Sequence, residues 1–195
     1  MRKLLIIFAL VFAHTGWSGD FEDGVAAAKR GDHATAFLKF RSAAEQGIPG
    51  AQHNLGLMYD RGEGIAEDYK EAMRWYLLAV GQGIPEAVYA IGDMYDKGRG
   101  VVQDYKEAVR WFKLAARWGN LQAHKQLGYM YWLGQGVAQD YVIAHMWSNI
   151  AAASGDKESV KNRDGMASNM SRQQIEQAQR MARECMASNF KKKSD

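Results

Sequence analysis

One cysteine, two prolines and no charged run longer than Lys191–Lys193 set the first limits on this 195-residue chain. A lone thiol, Cys185, excludes an intramolecular disulfide framework, so the fold stands on packing. Near-absence of proline excludes a proline-rich linker, and 20 glycines fit short helices separated by glycine turns. The 25 basic and 22 acidic side chains leave a net charge of only +3, which gives no reason to invoke nucleic acid. No pair of histidines at i, i+4 and no cysteine pair is present, so no metal site and no cofactor is expected. His53, His124 and His145 are scattered, and His145 takes the slot held elsewhere by Met73 and Val109, which fits a core or half-buried histidine.

Long apolar runs are also missing, with one exception. Leu4–Ala13 is an uncharged run of ten residues, preceded by Arg2 and Lys3 and followed by small residues around Trp17. That order reads as a secretory signal peptide over residues 1–18, cleaved after Ser18. Ten residues fall short of the roughly 20 that a membrane helix needs, so no span is expected after cleavage. Without Arg2 and Lys3, 23 basic side chains face 22 acidic ones. The expected location is the periplasm or the exterior.

What the chain does have is a repeat. A shift of 36 residues superposes three segments, 49–84, 85–120 and 121–156, without a gap. The series Ala51, Gly56, Met58, Tyr59, Gly62, Gly64, Asp68, Tyr69, Ala72, Trp75, Ala79 and Gly83 recurs in all three. Each copy reads as two helices. Ala51, Leu55, Met58 and Tyr59 lie on one helical face, Gly62 is a C-terminal cap, and Gly62–Gly64 forms the turn. Asp68 caps the second helix, with Glu71 completing a capping box; Asp104 and Glu107 repeat it, while Ile143 breaks it after Asp140. Gly56 and Ala72 allow close helix approach, and Trp75, Tyr59 and Tyr69 supply buried area. Residues 20–48 read as a shorter N-terminal hairpin. Residues 157–189 read as a capping pair with a Ser171–Gln174 capping box and an Ile175, Ala178, Ala182, Cys185 stripe. Residues 190–195 form a basic tail.

The string from Ala51 to Gly83 and its two copies resemble the Sel1-like repeat, and the N-terminal hairpin is similar to a tetratricopeptide hairpin. The resemblance implies an all-α, right-handed α/α superhelical solenoid of stacked hairpins, serving as an adaptor or scaffold for a protein or peptide partner. It also implies that the first helix of each pair lines a concave face. By position, that face carries His53, Leu57, Asp60 and Arg61 in the first copy. The second copy supplies Tyr89, Asp93, Asp96 and Lys97. Lys125, Tyr129, Trp132 and Leu133 follow in the third. These residues vary between copies while the packing positions do not, and their mixed charge fits a peptide or protein ligand.

No catalytic residue is assigned. Ser154-Gly-Asp-Lys157 matches a Ser-x-x-Lys string, but its Ser-Asp-Asn and Lys-Thr-Gly companions are absent. An envelope enzyme or a β-lactam- or cell-wall-binding protein is therefore the alternative to the scaffold. A third reading has the Lys191–Lys193 tail acting on the cell wall or membrane.

Overall fold

In the computed structural model, residues 19–191 are described, without the side chains of residues 189–191; the expected signal peptide lies outside them, as does most of the basic tail. All ten elements among the described residues are helices. Residues 19–29 form α1, followed by α2 (His33–Glu45), α3 (Pro49–Arg61), α4 (Tyr69–Gly81) and α5 (Pro85–Lys97). Next come α6 (Tyr105–Arg117), α7 (Leu121–Leu133), α8 (Tyr141–Ala152), α9 (Lys157–Ala167) and α10 (Arg172–Lys191). None is long and apolar enough to cross a membrane. The chain falls into two compact units, Met1–Ala87 and Val88–Asp195.

Helix boundaries follow local chemistry. Both prolines, Pro49 and Pro85, begin a helix, where the missing N–H costs nothing. Asn120 replaces that device in the third copy, and its side-chain oxygen accepts the Ala123 N–H. Gly62 and Gly134 end α3 and α7 in the left-handed region, at φ 66° and 74°. Asp68, Asp104 and Asp140 each accept two backbone N–H groups at the start of α4, α6 and α8.

The expected capping box forms only in part. The Asp68 N–H donates to the Tyr59 carbonyl, and the Asp104 N–H to that of Tyr95. With that donor already used, Glu71 and Glu107 turn outward and pair with Arg74 and Arg110. Ser171 and Gln174 do form the full reciprocal box.

The second glycine of the turn has a different task. A Cβ on Gly64 would lie 2.3 Å from the His33 carbonyl oxygen, and one on Gly136 would lie 2.2 Å from that of Tyr105. Each turn thus rests on the opening of the second helix of the preceding hairpin, closer than any side chain permits.

Core packing in the first unit centres on Phe37, Phe40, Leu55, Met58 and Trp75. The Phe37 and Tyr59 rings meet edge to face at 5.5 Å, and Phe21 meets Phe40 at 5.9 Å. In the second unit Val88, Ile91, Met94, Phe112, Leu127 and Met130 are fully buried. The capping pair α9–α10 packs on α8, where Met146, Ala178 and Ala182 form a cluster joined by Ile143, Trp147 and Met181. Within each unit the hairpins stack side by side as an α/α repeat.

Candidate functional site

One recurring contact decides where the molecule has room. In the first four hairpins a glycine on the first helix faces a side chain on the second. A Cβ on Gly24 would lie 2.7 Å from the Phe40 ring. Gly56 stands in the same relation to Tyr76, and Gly92 to Phe112, at the same 2.7 Å. In the third copy the residue facing Gly128 is Ser148, which is small. The neighbouring column changes with it. His53 packs against Tyr76 at 5.9 Å between ring centroids, and Tyr89 against Phe112 at 5.3 Å. The third copy has Lys125 and Ser148 there, with the Met166 sulfur 3.2 Å from the Ser148 hydroxyl.

The result is a cleft of ≈ 380 Å³ between α7, α8 and α9. Tyr129 and Trp132 wall it from α7. Ser148, Ala151 and Met166 form its floor, and Lys161, Asn162 and Gly165 its far side on α9. Tyr129 is 53 % exposed. Trp132 is steadied by the Tyr141 ring at 4.6 Å, and its carbonyl accepts from Gln139 Nε2 at 2.7 Å.

Lys125 fastens the cleft's upper edge. Its ammonium bridges Glu158 at 2.6 Å and Asp156 at 3.1 Å, tying α7 to the start of α9. Asp156 also accepts from the Ser159 hydroxyl and backbone N–H, capping α9. Those two bonds, followed by Lys125, lower the Asp156 carboxyl to about pKa 2. The bond to Glu158 raises the Lys125 ammonium, against the effect of desolvation.

The other expected site residues divide into separate settings. Leu57 and Arg61 line a groove of ≈ 300 Å³ between α1 and α3, with Val25, Lys29 and Asn54. Glu63 at its edge pairs with Arg61 and His33. Asp60 is buried, 7 % exposed. His53 is half-buried, and desolvation lowers its pKa. Asp93 is also buried, held by Lys97 at 2.8 Å and by Arg99. Asp96 is half-buried, and burial with the adjacent Asp93 raises its pKa. Burial, then Asp93 and Asp96, push the Tyr89 hydroxyl up to about 12, so it stays protonated. Leu133 is exposed beside the third-copy turn. Of all these residues, Lys125, Tyr129 and Trp132 come together around one cleft.

Sequence reasoning missed Ser148, Met166, Lys161 and Asn162. Ser148 left a readable signal, because the column Tyr76, Phe112, Ser148 loses its ring in the third copy. The α9 residues left none, since they lie outside the repeat. Ser154 donates its hydroxyl to the Ala151 carbonyl at 2.7 Å as an ordinary helix end, and Lys157 is exposed at the start of α9. No group of three or more His, Cys, Asp or Glu side chains among the described residues is placed to hold a metal ion.

The Sel1 repeat matches residues 49–84, 85–120 and 121–156. Among solved structures, the Sel1 repeat protein from Oxalobacter formigenes is 36 % identical, with a TM-score of 0.58 over 65 % of this chain and 52 % of its own. A protective antigen of uropathogenic Escherichia coli with an SLR fold is 24 % identical, with a TM-score of 0.54 over 93 % of this chain and 48 % of its own. Helicobacter pylori cysteine rich protein B is 17 % identical, with a TM-score of 0.54 over 64 % and 95 %. The latter two likenesses concern the fold alone. This chain spans about half the length of the first two proteins. No curated protein matches it.

Proposed function

The chain belongs to the Sel1 repeat family, and on that premise we propose that it is an exported adaptor holding a protein or peptide partner in the cleft of its third copy. Sel1 repeats mediate protein interactions, and the residues repeated in this chain serve packing and turns. The observation carrying the proposal is the replacement of a buried ring by Ser148, which opens a cleft walled by Tyr129 and Trp132. Aromatic side chains beside an apolar floor are the usual anchors of a protein interface. Export is read from Arg2, Lys3 and the Leu4–Ala13 run.

A photo-crosslinking amino acid at position 129 tests the surface. In the native envelope it should give discrete adducts that the same probe at position 38, exposed on α2, does not give. Identical patterns from both positions would remove the cleft from the interface. Fractionation with intact-mass analysis tests export. A periplasmic or secreted species lacking residues 1–18 is expected, and retention in the cytoplasm counts against it.

A further inference from the structure

We infer that the third-copy cleft selects an extended peptide segment carrying a large apolar side chain close to a carboxylate. This rests on the cleft being a partner surface and adds the chemistry of what enters it.

Ser148 donates its hydroxyl to the Met166 sulfur at 3.2 Å. Ser159 donates its hydroxyl to Asp156 at 2.6 Å. The Lys125 ammonium is engaged by Asp156 and Glu158, and its side chain is only 17 % exposed. That leaves the Lys161 ammonium and the Asn162 carboxamide, which engage no described residue. No carboxylate lines the cleft.

Each remaining feature has a matching chemistry. A carboxamide offers one acceptor and two donors, the complement of a peptide group. An ammonium takes a carboxylate through a charge-assisted hydrogen bond. The Tyr129 and Trp132 rings above Ala151 and Met166 accept a bulky apolar side chain, with the flexible thioether adjusting to its shape. A basic segment would instead meet the Lys161 ammonium with like charge. One uncommitted ammonium is too little for a polyanion such as nucleic acid. A glycan would leave most of its hydroxyls facing two uncommitted polar side chains.

The test uses blocked decapeptides in a Gly-Ser background. Each carries one Phe followed, one to four positions later, by Glu, Gln or Lys. Binding to the chain lacking residues 1–18 is read by fluorescence polarisation. At the best spacing the Glu peptide should bind about tenfold more tightly than the Lys peptide, with Gln between them. Lys161→Glu lies on the surface and should invert that order. Tyr129→Ala should weaken all three peptides alike. An order absent from the parent, or surviving Lys161→Glu, would overturn the inference. So would a β-1,4-linked N-acetylglucosamine tetramer binding with the same Tyr129 dependence while the peptides do not. Adducts from position 129 without any charge order among peptides would leave the surface reading standing and remove only the peptide chemistry. Loss of the adducts themselves would remove the surface reading.

Discussion

The second and third copies share the repeat's glycines, its capping aspartate, its tryptophan and its two-helix design, yet they differ in the packing column where the third carries a cleft of ≈ 380 Å³. Phe112 lies buried over Gly92 with Tyr89 beside it. Ser148 lies over Gly128 with Lys125 in place of the tyrosine. The cleft opens where a small residue stands in place of a packing ring, on a scaffold whose repeated contacts are otherwise kept. The Lys125 bridge to Asp156 and Glu158 ties α9 to α7 across the gap.

The sharpest way to break this contrast is to carry the third-copy residue into the first. Tyr76→Ser removes a fully buried ring above Gly56 and should cost about 3–5 kcal/mol in chemical denaturation. A loss below about 1 kcal/mol would show that the ring does not fill that space. Next in size are the turn glycines. Gly64→Ala or Gly136→Ala combines a left-handed backbone with a contact of 2.3 or 2.2 Å to a carbonyl, and should cost about 2–5 kcal/mol. Gly83→Ala has the positive φ but nothing within 4 Å, and should cost only about 1 kcal/mol. Equal costs at these positions would show that the turns do not rest on the preceding hairpin.

Asp68→Ala, Asp104→Ala and Asp140→Ala should each lose about 1 kcal/mol, as for other N-caps. Glu71→Gln should lose a few tenths at most, because its contact is an exposed pair with Arg74 and not the return half of a capping box.

The smallest effect separates the copies by pH. His145 is 2 % exposed in the slot that Met73 and Val109 hold in the other copies. Burial first, and then Arg163, lower its pKa, against the opposite pull of Asp164. The unfolded chain takes up the proton near pH 6.5, while the folded chain resists it. Stability attributable to this group is therefore unchanged above about pH 6.5 and falls as the pH drops below it. His53 and His124 are shifted the same way by burial. His145→Met should raise the melting temperature more at pH 5 than at pH 8. An equal gain at both would mean that the imidazole is not a buried neutral group.

The repeat, its helix boundaries and its capping aspartates were legible in the sequence because a fixed period exposes residues with one structural task. Gly62, Asp68 and Ala72 could be assigned from spacing and backbone preference alone. The half-made capping box was not legible, since the Asp68 N–H is taken by the Tyr59 carbonyl, a contact that depends on how the turn folds back. Site residues were read as those that vary on the first helix. That rule named Lys125, Tyr129 and Trp132, and equally Asp60 and Asp93, which packing buries. Variation marks freedom from the packing pattern, but it does not say whether a side chain faces solvent or turns inward. The informative change was on the second helix, at Ser148, where the sequence departs from its own pattern in a packing column.

In the proposed function, Ser148 keeps the third-copy cleft open for a partner. The direct measurement is crosslinking from position 129 in the parent and in Ser148→Phe, alongside their melting temperatures. The added ring should abolish the adducts while the protein still unfolds cooperatively, with a melting temperature lowered only as far as overpacking against Met166 requires. Undiminished adducts from a folded Ser148→Phe protein would contradict the account.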